Sequence, residues 1–272
     1  VVEGSGAPEL TVYLRLVGAR IRGDWQYRTS FLLFLVGQSF VAVTDFAAVM
    51  VLFATVDELA GWSAVEVAFL YGVSGLAFGL ADLIVSPVEM AAVHVKAGSF
   101  DRFLIRPLGA LWQLLATEFA ARRLGRTIQP LIVLVVAVAV AEVDWTPATA
   151  ALVPLSVVCG TVIYGSIWVL TSSLAFWTVE TQEIASSFTY GGNALTSYPV
   201  DVLGSWLRRV ATFVVPLASV AYLPACRVFD KPMAFDLPRA AAWTGPLVAG
   251  ACVLVARTVW RRAIRHYRST GS

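Results

Sequence analysis

Long uninterrupted apolar stretches are the feature that most limits what this chain can fold into. Residues 31–56 carry a single charged side chain, Asp45, and residues 148–177 carry none. A helix that crosses a bilayer needs about 20 predominantly apolar residues. Composition agrees: 58% of the 272 residues are hydrophobic, only 14% are charged, and mean hydropathy is +0.75. A soluble domain of this length carries about a quarter charged residues, so the chain reads as an integral membrane protein.

The fold class expected is all-α and polytopic, a single transmembrane domain over 1–272 with six spans. These fall at 31–56, 65–86, 124–142, 148–177, 206–223 and 243–262. The third is short unless it begins near Leu124, and the fifth needs flanking residues to reach full length. For these two, a re-entrant piece or a buried amphipathic segment stays open as an alternative. Basic residues set the expected orientation. With the N-terminus in the cytoplasm, seventeen of the twenty Lys and Arg fall on the inner side, and only Arg227, Lys231 and Arg239 lie outside. That is a strong positive-inside bias. It places both termini and the loop 87–123 in the cytoplasm. Trp62, Trp145, Tyr222 and Trp243 fall near the expected outer boundary, where amphipathic rings are favoured. No basic face interleaved with aromatics extends into solvent, so nucleic acid is not an expected partner. Membrane lipid is.

No cleavable signal peptide is expected, because the first apolar segment is too long for an h-region. Cys159, Cys226 and Cys252 are scattered and make no metal-ligand pattern. Lys96 and Lys231 are the only lysines, and no Gly-x-x-x-x-Gly-Lys phosphate loop exists. A His-Glu-x-x-His pair and a Gly-x-Ser-x-Gly elbow are also missing. The chain by itself is therefore not expected to be an enzyme, and no cofactor or metal is expected on it.

Two segments outside the spans have helical patterning. In 10–28, Leu10, Leu14, Val17, Ile21 and Trp25 recur every three or four residues, with Arg15, Arg20, Arg22 and Arg28 largely elsewhere. That suits a helix lying at the inner membrane surface; a helix simply packed at the entry to the first span is the alternative. In the loop 87–123, Leu108, Leu111, Trp112, Leu115 and Phe119 form a second stripe. Joining two spans does not require a loop of that length, so it is either a docking surface or a hairpin packed on its own bundle. Inside the spans, Asp45 stands near the centre of the first. A lone carboxylate in hydrocarbon costs at least about 2.5 kcal/mol, so it must face the bundle, a watery path or a partner subunit, or be protonated. Gly75-x-x-x-Gly79 offers a flat face for close helix approach, and Thr171-Ser172-Ser173 can bond back to its helix or across it.

Six short motifs recur in order from end to end. They are Trp25-Gln26-Tyr27-Arg28-Thr29-Ser30-Phe31, then Gly61-Trp62-Ser63 with Glu66, then Gly98-Ser99-Phe100-Asp101-Arg102-Phe103-Leu104-Ile105-Arg106-Pro107. Tyr198-Pro199-Val200-Asp201 precedes Trp206-Leu207-Arg208-Arg209; Pro216 and Tyr222-Leu223-Pro224-Ala225 follow; His266-Tyr267-Arg268-Ser269-Thr270-Gly271-Ser272 closes the series. In these the chain resembles the permease subunits of ABC-2 type exporters, in the branch described as ABC-2 family transporters.

The resemblance implies a permease of a bacterial-type cytoplasmic membrane that pairs with a second six-span permease, a related chain. Two cytoplasmic ATPase subunits holding ATP and Mg would supply the energy for expelling a drug-like or amphiphilic molecule. It also makes the segment around Phe100, Asp101, Arg102 and Arg106 the ATPase-coupling element. Phe100 would seat apolarly, the three charged residues would orient it, and Arg106-Pro107 would form a fixed bend; a local folding role for Asp101 and Arg106 stays open. Asp45 is the candidate residue for the translocation path or the permease interface. A membrane scaffold unrelated to ATPases, or an ion-coupled carrier using Asp45, are the rival functions. No two matched halves support the carrier.

Overall fold

In the computed structural model of the protein, which describes residues 6–106, 108–178 and 182–267, all regular structure is helical. Helix α1 (Gly6–Gln26) and α2 (Arg28–Phe53) meet at Tyr27, and α3 (Ala64–Ile84) follows. Three short helices, α4 (Met90–Lys96), α5 (Asp101–Leu104) and α6 (Ala110–Thr117), then lead to α7 (Gly125–Val140) and α8 (Pro147–Ser173). Beyond these come α9 (Gln182–Thr196), α10 (Ser205–Arg209), α11 (Tyr222–Val228) and α12 (Gly245–His266). Local signals fix several ends. Ser63 and Glu66 close a reciprocal capping box on α3, and Thr146 does the same for α8 with Thr149, followed by Pro147 in the first helical position.

The contacts order the bundle between two ends. Gly72, Gly75 and Gly79 of α3 face Leu134, Pro130 and Thr127 of α7 in turn, so these helices run antiparallel. A Cβ on Gly72 would come within 2.8 Å of the Leu134 backbone, which explains why this face of α3 carries no side chain. The close approach anticipated for the Gly75–Gly79 pair thus has its partner in α7. Gly160 of α8 lies against Ala77 of α3 and Gly165 against Val85 just past its end, so α8 runs parallel to α3, and Phe78 packs on both Tyr164 and Trp168. Two apolar clusters divide the core lengthwise. One gathers Trp62, Phe69, Tyr222 and their neighbours; the other gathers Phe100, Phe103, Trp168, Phe176 and Trp260. The first marks what is called here the Trp62 end, the second the Phe100 end. Thr171 and Ser173 donate to the Ile167 and Val169 carbonyls one turn back, so these hydroxyls serve their own helix.

Among the described residues four helices are long and apolar enough to cross a membrane: Arg28–Phe53, Ala64–Ile84, Ala121–Val140 and Pro147–Phe176. They agree with the first four expected spans, and the third does begin near Leu124. The count becomes five if the bent pair Ser205–Phe213 and Leu217–Val228 is one span. In α12, Arg257, Arg261, Arg262 and Arg265 confine the apolar run to residues 245–256.

The region expected as one span at 206–223 departs from that reading. Its two helical pieces meet at 68°, with Pro216 between them, where a ring and a missing N–H prevent a continuous helix. Arg208 donates to the Asp201 carbonyl at 2.7 Å, while Asp201 accepts from the Trp62 indole at 3.1 Å. Arg208 therefore lies at the Trp62 end, whereas the charge pattern had assigned it to the side of Arg123. The chain reaches that end through α9. Tyr190 packs edge-on against Phe78, Thr196 meets Ser74, and Asp201 meets Trp62, a path that climbs the length of α3. Residues 182–196 lie outside the six expected spans.

Candidate functional site

The segment between α3 and α7 folds as a braced projection at the Phe100 end. Gly98 turns the chain with φ of +65°, a conformation that costs an L side chain energy, and Ser99 and Phe100 then donate backbone N–H groups to the His94 carbonyl. Phe100 has 0% of its surface exposed. Its ring lies 5.7 Å from Phe103, 5.0 Å from Phe176 and 5.4 Å from Tyr267. Here the structure corrects the expectation for Phe100: a ring buried in its own core cannot also seat in a partner's cleft. It anchors the projection instead. Gln113 of α6 donates to the Phe103 carbonyl at 2.9 Å, and Arg102 reaches the His94 ring at 3.2 Å while covering Phe103 at 4.9 Å.

What the projection offers outward is the run that follows. Arg102, Leu104 and Arg106 are exposed, and Ile105 is 84% exposed. Asp101 is half-buried and lies against Tyr267; burial first, then the Asp101 charge, push that phenol above its ordinary value. The expected Arg106-Pro107 bend lies outside the described residues. An apolar tip on a stiff, internally bonded turn, flanked by guanidinium groups, is suited to transmitting displacement between proteins.

Helix α1 leans on this projection. Tyr13 packs edge-on against Trp112 of α6 at 5.6 Å, and Arg20 Nε donates to the Thr117 carbonyl at 2.8 Å. Leu14, Ile21 and Trp25, on the adjacent face, are exposed. Leu14, Ile21 and Trp25 of the stripe seen in the sequence are thus uncovered, while Val17 of that stripe packs on the core with Tyr13.

A buried polar knot lies just above. Asp82 is 1% exposed and binds Arg123 at 2.8 Å and Arg126 at 3.2 Å. Arg126 also donates to Gln38 of α2 at 2.7 Å and covers the Tyr190 ring of α9 at 5.5 Å. Nearby, Glu89 accepts from the Trp168 indole of α8 at 2.6 Å. Burial raises the Glu89 carboxyl above its ordinary range, with Trp168 and Arg123 pulling the other way. Asp82 is not among the candidate residues named from the sequence. The signal missed is the pair Arg123 and Arg126, three apart at the start of a helix that the glycine face of α3 had already called for.

Deeper in the bundle, Ser74 of α3, Tyr164 of α8 and Thr196 of α9 share one cluster of hydroxyl hydrogen bonds, with Ser74 and Tyr164 at 3.1 Å. At the Trp62 end three motifs that are far apart in sequence converge. Asp201 accepts from both Trp62 and Tyr222 at 3.1 Å, and Lys231 pairs with Glu66 at 2.8 Å while covering the Trp62 ring at 5.1 Å.

Asp45 does not join any of these. It is exposed on the isolated chain, in a span of which only 6% is buried, beside Phe46, whose ring lies 5.0 Å from Tyr71. Among the described residues no group of three or more His, Cys, Asp or Glu is placed to hold a metal ion.

Comparison with known protein families matches residues 40–271 to the family described as ABC-2 family transporter protein. No curated protein and no solved structure matches the chain. Permeases of this family generally work with ATPase subunits. The match spans all the site elements above except α1 and the start of α2, and it agrees with the several apolar helices. The chain belongs to the ABC-2 transporter family and is a multi-pass membrane permease of an ABC-type transporter.

Proposed function

We propose that this chain is one of two permeases in an ATP-driven exporter of a bacterial-type cytoplasmic membrane, with the Phe100 end in the cytoplasm. Two separate ATPase subunits bind ATP and Mg and dock on the projection 101–106. They meet Ile105 apolarly, while Arg102 and Arg106 fix its orientation. The observation that carries this reading is the projection itself: a tip 84% exposed at Ile105, rooted in a fully buried Phe100. A stiff root is what lets motor movement reach the helices instead of being lost in a loop.

The chain makes six crossings in this reading: α2, α3, α7, α8, α9 and α12. The fifth is therefore α9. Residues 205–228 form a bent piece that enters and leaves at the outer face, since Arg208 near its start and Lys231 just after its end both bond to groups near Trp62. Moving Arg208 and Arg209 outward leaves fifteen of twenty basic residues inside, which still satisfies the positive-inside bias. Both termini are then cytoplasmic, with α1 lying in the inner interface on Leu14, Ile21 and Trp25. A second, related permease covers the open face of α2. This removes Asp45 from lipid, the one environment its charge disfavours, and sets it at the interface or on the path of an amphiphilic substrate.

Mild extraction of the protein from its native membrane, followed by identification of co-eluting chains, tests the assignment. A nucleotide-binding chain in fixed ratio, and ATP-dependent accumulation of a lipophilic dye in inverted vesicles, are expected. Purification with no ATPase chain under conditions that keep the permease folded would contradict it.

A further inference from the structure

Asp45 is the sole acidic side chain of α2, and it stands exposed on the open face of that helix. Among the described residues no Lys, Arg or His forms an ion pair with it. Arg126 does touch α2, at Gln38, seven residues or about 10 Å nearer the Phe100 end. Its guanidinium, however, already pairs with Asp82. The charge of Asp45 is therefore left for something outside this chain to balance.

What surrounds Asp45 is aromatic. The ring of its neighbour Phe46 lies 5.0 Å from that of Tyr71. Asp45 and Tyr198 both act electrostatically on the Tyr71 hydroxyl, which gathers the three at one level of the bundle. That hydroxyl shares its proton between the Ala42 carbonyl at 3.1 Å and Gln129 Oε1 at 3.3 Å, so it has none to offer Asp45. Phe46 and Tyr198 are half-buried, and part of each stays uncovered. On the same face of α2, Val41 and Ala48 are exposed one turn to either side of Asp45.

An unbalanced carboxylate among rings has the chemistry of an organic cation, because the faces of aromatic rings attract positive charge and repel negative. A metal ion suits it poorly. Calcium and magnesium take several oxygen ligands, and Asp45 belongs to no group of three or more candidate ligands among the described residues.

We propose that Asp45, with Phe46 and Tyr198, binds a lipophilic organic cation, a quaternary ammonium or phosphonium centre on an apolar body. The carboxylate and rings take the charge, and Val41 and Ala48 take the body. This cation is the class of molecule the transporter carries. The inference rests on the proposed function, in which a second permease covers α2 and turns its open face into the wall of a path.

The test uses the protein as purified from its native membrane in mild detergent, with tetraphenylphosphonium as the probe. Tetraphenylborate, of the same shape and opposite charge, is the counterpart. Equilibrium dialysis should show saturable binding of the phosphonium and at least about tenfold weaker binding of the borate. D45N, nearly isosteric, should weaken phosphonium binding by about tenfold, and D45E should restore most of it. D144N removes the same charge from the exposed loop beyond the Trp62 end and should bind as the native protein does. Equal phosphonium affinity in the native and D45N proteins would overturn the proposal, as would binding of both ions alike. So would loss of a second permease chain from D45N that D45E restores, which would make Asp45 the contact of a partner's own cation. Co-elution of an ATPase chain is read in the same preparation and bears on the transporter reading alone, so the two can fail separately.

Discussion

Asp82 shows at the scale of a single residue how a membrane bundle tolerates buried charge. Its carboxylate is withdrawn from solvent but satisfied twice, by Arg123 and Arg126. Removing one partner of a buried pair costs about 3–5 kcal/mol. The arginines keep some contact with water, so Asp82→Asn should cost about 2–3 kcal/mol, read as a lowered midpoint of thermal unfolding in detergent. Glu89, a few residues further on, carries the opposite sign. Its pKa is raised in the folded state, so the native protein holds its proton more tightly than the unfolded chain. Stability from this group is then present at low pH and declines as pH rises from the ordinary carboxylate value of 4.5 through the raised one. Glu89→Gln keeps the acceptor for Trp168 and should flatten that decline in melts taken between pH 4 and 7; an unchanged slope would remove Glu89 from the account. Neither residue's role was legible in the sequence. The partners of Asp82 lie about forty positions away on another helix, and only packing of α3 on α7 brings them together.

At the scale of elements, the projection separates two residues that the sequence motif places five apart. Phe100→Ala should destabilise the whole chain by about 3–5 kcal/mol, because it empties a fully enclosed aromatic site. Ile105→Asp should leave folding and membrane insertion unchanged while weakening ATPase binding by roughly thirtyfold, the loss of about 2 kcal/mol typical of an interface anchor. Yield of folded permease beside ATPase stimulation in reconstituted membranes distinguishes them; a folded, fully stimulated Ile105→Asp protein would remove the tip from the interface. The motif marked the segment correctly as one unit, and hydropathy located α2, α3, α7 and α8. It did not reveal α9, whose Thr196 bonds to Ser74 and Tyr164 and whose Tyr190 accepts from Arg126. Nor did it separate the apolar residues of 206–223 into a bent pair, because composition records how apolar a stretch is and not where its axis turns.

At the scale of the molecule, the projection and the Asp82–Arg123–Arg126 knot fall at one end and the Trp62–Asp201–Tyr222 network at the other. The helices that carry both are the ones packed most deeply, with the α3 span 83% buried against 6% for α2. The proposed second permease would cover α2, which the rest of this chain leaves open. The charge pattern of the sequence grouped Arg208 with Arg123, whereas its bond to the Asp201 carbonyl holds it at the Trp62 end. The central claim is that an ATPase grips this permease at the tip of the projection. A photo-crosslinking amino acid placed at position 105, and in a separate protein at position 145 beyond the Trp62 end, tests it in membranes that contain the whole complex. The account predicts an ATPase subunit covalently captured from position 105 and none from 145. Capture from 145, or no ATPase captured from 105 in an assembled and active complex, would contradict it.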